Sequence, residues 1–416
     1  MIKPEIQFPF PLIRTNLSNL NPVYFAMVMA TGIISLNFKL QGFDTAAKFL
    51  FFINLALYVA LTLLFVARAF IFKERFIDDF SDHKRAPGFF TIVAANSIIG
   101  SQCHLMTGSI FAAQFFFGLS LTLWLISIYS IFVLLTVKSE KPVFEQAIHG
   151  GWLIAIVATQ SIPVVGTSFL DTSVNNDIIL FLLTVLWLFG GMLYIWIISI
   201  IFYRYMFFKF YPNDLMPPYW INMGAMAIST LAGSLLVLKS ANSSLLLPVL
   251  PFIKGFTLMF WATATWWIPM LFILGFWRHA VKKIPISYTP LYWGLVFPLG
   301  MYSVCTIRLI QIFPETIWLS GLVKVFTVLG ITAWAITFLG MLTRILSILF
   351  PTFNAETTRG SLMINIGQEF IVTGFIIYCL DQYMFPLPHL LTPLCITIGT
   401  LIWITGNIRK MTLSCD

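Results

Sequence analysis

A chain of 416 residues with 59% apolar and only 10% charged residues cannot clothe a soluble fold, because soluble domains carry about 25% charge. The net charge of +8 reports topology in a membrane chain before it reports nucleic acid. A soluble enzyme, a nucleic-acid reader and a disordered chain are excluded, and hydrocarbon is the expected solvent.

Met1 to Asn21 holds Pro4, Pro9 and Pro11 and no continuous apolar run. It does not read as a cleavable signal peptide, so the first apolar helix is expected to target the chain. Stretches of about 20 mostly apolar residues, enough to cross a bilayer, follow at 22–40, 48–70, 88–106, 111–137, 150–168, 178–203, 218–238, 249–277, 289–312 and 318–345. Two more fall at 361–383 and 388–407. The expected fold class is an all-α polytopic membrane protein. A segment at 1–17 leads into a ten-helix core at 18–348, and an appended helix pair with a short tail occupies 349–416.

Orientation follows from Lys and Arg. With the N-terminus inside, eighteen basic residues fall on the cytoplasmic side and four, Lys39, Lys48, Lys239 and Lys254, on the other. Arg308 and Lys324 lie near the outer ends of spans nine and ten. Both termini are therefore expected in the cytoplasm, with the chain in a bacterial-type inner membrane.

The spans alternate in character. Over 18-residue windows, small or polar residues fill 43 of 90 positions in the odd spans and 25 of 90 in the even ones. Small residues permit close helix packing, and polar ones need shelter from lipid. Odd spans are expected inside and even ones against lipid, although span ten scores as high as span nine. The odd spans begin near 22, 88, 150, 218 and 289, a repeat of one helical hairpin. Five inner helices in a ring would enclose an axis, whereas an ordinary bundle would use the same small residues only for packing.

No Asp or Glu is embedded in the ten spans; Asp44, Asp171, Asp177, Asp214 and Glu315 fall in predicted loops. Cation carriers and proton relays usually keep such groups, so anions are favoured. Arg308, on an inner span, either attracts anions or reaches out to the interface; Lys254 and Lys324 fit the interface better. Helix breakers sit in the odd spans: Gly32, Gly100, Pro163, Gly166, Gly224, Gly233, Gly294, Pro298 and Gly300. They mark either a kinked, lined path or tight packing, and Pro269 shows that an even span carries Pro too. Asn96, Gln102, Gln160 and Asn222 are sheltered amides that either meet a passing anion or tie helices together. His104 is a pH sensor or a hydrogen-bonded group at a helix end. Five separate Cys (103, 305, 379, 395, 415) show no metal-ligand spacing, so no metal and no cofactor are expected.

Three stretches point to a family. NPVYFAMVMATGIISL carries Phe25, Val28, Met29, Thr31 and Gly32. HKRAPGFFTIVAANS leads into span three with a basic-Pro-Gly opening. YWGLVFPLGMYSV carries Trp293, Phe297, Pro298 and Gly300. Together they resemble the tellurite-resistance/C4-dicarboxylate transporter family, which includes fungal malate and sulfite transporters and the slow anion channels of plant guard cells. The resemblance covers residues 18–348. It implies five hairpins around a quasi-fivefold pore lined by the odd helices, with the Phe before the span-nine Pro, here Phe297, occluding it. It also implies a homotrimer and, as cargo, small inorganic anions, C4-dicarboxylates, sulfite or tellurite-type oxyanions. A channel is the leading expectation and a proton-coupled exporter the alternative. The helix pair after residue 349, with Glu369 inside its first member, departs from that pattern. No enzyme motif and no nucleic-acid partner is expected.

Overall fold

A computed structural model describes residues 11–170, 176–240 and 243–349. All ten core spans are helices: α1 (Pro22–Leu40), α2 (Asp44–Ile71), α3 (Ala86–Thr107), α4 (Ile110–Val137), α5 (Gly150–Ser168), α6 (Asp177–Phe207), α7 (Pro217–Lys239), α8 (Leu247–Val281), α9 (Pro290–Ile312) and α10 (Pro314–Leu346). Among the described residues there is no strand. The expected helices at 361–383 and 388–407, Glu369, Asp171 and the Cys at 379, 395 and 415 lie outside the described residues.

Asp44 and Asp177 are not in loops; each opens a long even helix, where a carboxylate meets the positive end of the helix dipole. Lys39 pairs with Asp44 at 2.7 Å across the α1–α2 turn. This contact starts α2 four residues earlier than apolarity alone predicts.

Each inner helix begins with a 3₁₀ turn: Pro22–Phe25, Ala86–Gly88, Gly150–Leu153, Pro217–Trp220 and Pro290–Tyr292. Four of them carry Pro in the first two positions, where its missing N–H has no helical acceptor to lose. The fifth has Gly150 and Gly151 instead. A Cβ on Gly150 would stand 2.7 Å from the Tyr219 Cα, so only glycine lets α5 and α7 open side by side. The five turns touch one another in a closed circle.

The helices below them repeat that circle: α1 packs on α3, α3 on α5, α5 on α7, α7 on α9 and α9 back on α1. Each even helix lies outside, packed on the inner helix before it and the one after it. The apolar windows of the odd helices are 72–94% buried and those of the even helices 22–44%. Helix α10, whose composition did not distinguish it from α9, is 39% buried and belongs to the outer layer.

Hydrogen bonds fasten the layers in a repeating way. Indole N–H groups donate from an outer helix to the next inner one: Trp124 to Thr159 Oγ1 (2.8 Å), Trp187 to the Ser229 carbonyl (2.9 Å), Trp261 to Thr306 Oγ1 (3.1 Å) and Trp334 to Thr31 Oγ1 (3.0 Å). In the first hairpin Asn54 and Tyr58 of α2 take that place, donating to Gln102 (2.7 Å) and Asn96 (2.6 Å) of α3. The Trp334 bond joins α10 to α1 and so closes the ring. Such ties contribute about 0.6 kcal/mol each in a bilayer, up to roughly 2.

The start of α1 is pinned by a charge cluster. Arg68, 1% exposed at the end of α2, pairs with Asp79 at 2.7 Å and donates to the Ser18 carbonyl at 3.1 Å. Arg85 pairs with the other Asp79 oxygen at 2.7 Å and donates to the carbonyls of Asn19 and Leu20.

Candidate functional site

Two cavities lie one below the other at the circle of 3₁₀ turns. The wider, about 370 Å³, is lined by opening-turn residues of all five inner helices, among them Val23, Gly88, Gly151, Pro218 and Leu291. Loop and helix-end groups complete its wall: Lys84, Glu145, His149, Arg204 and Asp214. The second cavity is about 10 Å³, near the threshold for one water. It shares Val23, Ile154, Pro218 and Leu291 with the first and continues past Ala26, Met29, Val157, Ile221 and Gly294 to Phe297. Every inner helix contributes to both cavities, which places them on the ring axis.

The narrow cavity is apolar. Among the described residues its one polar side chain, Thr91, has its hydroxyl held between the carbonyls of Pro22 (2.7 Å) and Gly88 (2.6 Å). Phe297, 2% exposed, forms its floor. Seven residues separate it from Pro290, so it lies about 10 Å below the start of α9.

The neighbours of Phe297 explain its direction. Pro298 packs sideways onto α7, where a Cβ on Gly224 would stand 2.6 Å from its ring. Gly300 faces α1, where an added Cβ would meet Ile34 at 2.8 Å and Ile33 at 3.0 Å. Residues one and three further along an α-helix point about 100° and 300° around it. With those sides committed to α7 and α1, position 297 points between them, toward the axis.

The other sequence-selected residues fall differently. A Cβ on Gly32 would meet Ile98 and Asn54, one on Gly100 Phe116 and Val165, one on Gly166 Leu183, and one on Gly233 Thr257 and Trp187. In each case the space is filled by neighbouring helices, so these glycines permit close approach. Pro163 is buried and α5 runs on through it; α9 likewise runs on through Pro298. Gly294 does line the narrow cavity, and it is the residue whose carbonyl loses its helical donor to Pro298. The four amides are helix ties: Gln102 and Asn96 meet α2, Gln160 donates to the Trp187 carbonyl at 2.9 Å, and Asn222 donates to the Tyr205 hydroxyl at 3.2 Å. All four partners are on outer helices.

Arg308 is half-buried near the far end of α9 and donates to Gln311 on the next turn at 2.8 Å. It lines neither axial cavity. Lys324 is exposed on the outer α10, and the Lys254 ammonium sits 5.7 Å over the Phe313 ring. His104 is half-buried at the end of α3, its carbonyl accepting from Gly108 at 2.8 Å. Cys103 and Cys305 are free thiols.

Sequence reading missed His149 and Arg204, which stand together at the wide cavity. His149 caps the α5 turn, accepting from the Gly151 N–H at 3.1 Å. Burial pushes its ring down to about 4, assisted by the nearby Arg204 and Lys84 cations and opposed by the His83 carbonyl. Arg204 ends α6, donating to the Ile148 carbonyl (2.8 Å) and the Tyr219 hydroxyl (2.7 Å). In sequence Arg204 counted only toward topology; its position at the end of an otherwise apolar span was the available signal.

A closed ring of five membrane-crossing hairpins, with a cavity narrowing on its axis, defines a multi-pass membrane protein of the channel and transporter class. Residues 19–342 match the voltage-dependent anion channel family, and the chain belongs to it. This is the family that the motifs in α1, α3 and α9 resemble. An uncharacterized membrane protein of Mycobacterium tuberculosis is 35% identical over 155 residues, covering 36% of this chain and 75% of that protein. Two uncharacterized transporters of Methanocaldococcus jannaschii are 25% and 24% identical over 310 residues, 72% of this chain and 86% and 88% of theirs.

Proposed function

We propose that the protein carries small anions along the axis of its inner ring, from the wide cavity through the narrow one, with Phe297 as the gate. The observation that carries this reading is the nesting of the two cavities. They share four residues, draw on all five inner helices and end on one aromatic ring. An apolar neck with room for about one water excludes a hydrated ion by size and by dewetting, so the described conformation is closed. Opening requires Phe297 to leave the axis.

Among the described residues no acidic side chain lines the neck, which favours anions over cations. It also gives a proton-coupled exporter no titrating group there, so the channel reading is preferred. The cargo is a small inorganic anion, a C4-dicarboxylate, sulfite or a tellurite-type oxyanion. Transport of this kind makes and breaks no covalent bond and needs no enzymatic group. The distribution of Lys and Arg supports cytoplasmic termini, an inner-membrane location and a cytoplasmic mouth at the wide cavity. The family resemblance supports a homotrimer.

The test is anion flux into liposomes for the wild-type chain and Phe297→Ala. Basal flux is expected to rise at least tenfold in the variant. Unchanged flux through a folded Phe297→Ala protein would remove Phe297 from the gate and this axis from the path.

A further inference from the structure

The wide cavity contains a guanidinium whose donors are only partly used. Arg204 is 5% exposed and lines the cavity. Its Nη1 is committed to the Ile148 carbonyl and the Tyr219 hydroxyl. Its Nε has no hydrogen-bond partner, and its Nη2 approaches Asp214 at 3.7 Å, beyond hydrogen-bond reach. Nε and Nη2 form one edge of the guanidinium, the planar fork that meets both oxygens of a carboxylate. Leaving such an edge unsatisfied inside a protein is costly.

His149 lines the same cavity. Because His149 Nδ1 accepts from Gly151, the neutral ring carries its proton on Nε2. That nitrogen is buried and turned to the His83 carbonyl, so His149 shapes the wall and leaves the binding to Arg204. The opening turns of five inner helices converge on this space, and their dipoles add positive potential. Lys84 adds a full charge; Glu145 and Asp214 oppose it. Of these acids, Asp214 comes nearest the fork, its Oδ2 3.7 Å from Nη2 while accepting from the Tyr211 N–H at 2.9 Å.

We propose that the Nε–Nη2 edge of Arg204 forms a carboxylate-binding subsite in the wide cavity, where Asp214 stands in for the ligand until an entering carboxylate displaces it. The subsite rests on the transport reading for its purpose, since it would load the path above the neck. Its chemistry does not depend on that reading. A fork with two parallel donors selects a two-oxygen anion over a halide, which offers one centre.

The experiment titrates the full chain in lipid nanodiscs with succinate and, separately, with chloride. Asp214→Asn removes the competing charge and keeps an acceptor for Tyr211. It is expected to tighten succinate binding about three- to tenfold, with a smaller change for chloride. Arg204→Lys keeps the charge and loses the fork, and is expected to weaken succinate about tenfold or more while sparing chloride. Should that variant not fold, Asp214→Asn decides alone. Unchanged or weaker succinate binding in folded Asp214→Asn would overturn the subsite. Equal gains for succinate and chloride would overturn the fork in favour of bare charge. Flux through Phe297→Ala reports the path separately: no added flux there, with the succinate shift intact, removes the path and keeps the subsite.

Discussion

Gly224→Ala tests whether the seam between α7 and α9 sets the width of the neck. The new methyl would stand 2.6 Å from the Pro298 Cγ, 3.0 Å from its Cβ and 3.3 Å from its Cα. Carbon atoms prefer about 3.5–4.0 Å, so the seam must open by about 1 Å. A proline ring fused to its backbone cannot swing aside, and the strain falls on the helix pair. Overpacking of this kind costs about 1–3 kcal/mol. The control is Gly118→Ala on α4, where an added Cβ meets nothing within 4 Å. There the gain in helix propensity, up to about 1 kcal/mol, is unopposed. Thermal unfolding in one detergent, followed by tryptophan fluorescence, should separate the pair by several degrees, Gly224→Ala being the less stable. Because Phe297 adjoins Pro298, the same shift should also raise basal anion flux. Equal melting temperatures would refute the seam argument, and a lower temperature with unaltered flux would refute its link to the neck.

Other measurements probe separate features. His149 is held near 4, below the 6.5 of a free ring, so the unfolded chain binds the extra proton first. Stability should be full above about pH 6.5, fall as the pH drops toward 4, and lose about 2–3 kcal/mol over that window; His149→Asn, which keeps a capping oxygen, should flatten the profile, and an unchanged slope would assign it to other groups. Trp334→Phe removes the donor to Thr31 that closes the ring; a double-mutant cycle with Thr31→Val should give a coupling of about 0.6 kcal/mol, and zero coupling would mean that packing alone closes it. Arg308→Gln should reduce anion-over-cation preference if its side chain reaches the path, and an unaltered reversal potential would place it at the lipid interface with Lys324.

Much of the fold was legible because a bilayer leaves few choices. Backbone groups in hydrocarbon must bond within their own helix, so the ten apolar runs became ten helices with ends displaced by only a few residues. Layer assignment was legible where composition differed; at α10 composition was silent and the alternation of hairpins alone put it outside, since a count of small residues does not say which neighbour they face. The glycines show the same limit. Gly32, Gly100, Gly166 and Gly233 carry no direction in sequence, and only the packed helices show that each accommodates a neighbour's side chain. The amides Asn96, Gln102, Gln160 and Asn222 gave two readings of equal chemistry, which their outer-helix partners decided.

The sequence by itself determined the solvent, the number of core spans, the hairpin repeat and the family, because these depend on hydropathy, period and local motif; Phe297 entered as a gate candidate through the family resemblance. Tertiary structure alone decided what lies on the axis. The narrow cavity draws on helices more than 250 residues apart in the chain, from Val23 to Phe297, and no local pattern encodes that meeting. Arg204 and His149 are 55 positions apart, and they line one space only because α6 ends where α5 begins. Apolar burial drove the helices together; which polar groups were left facing the mouth followed from the ring they closed.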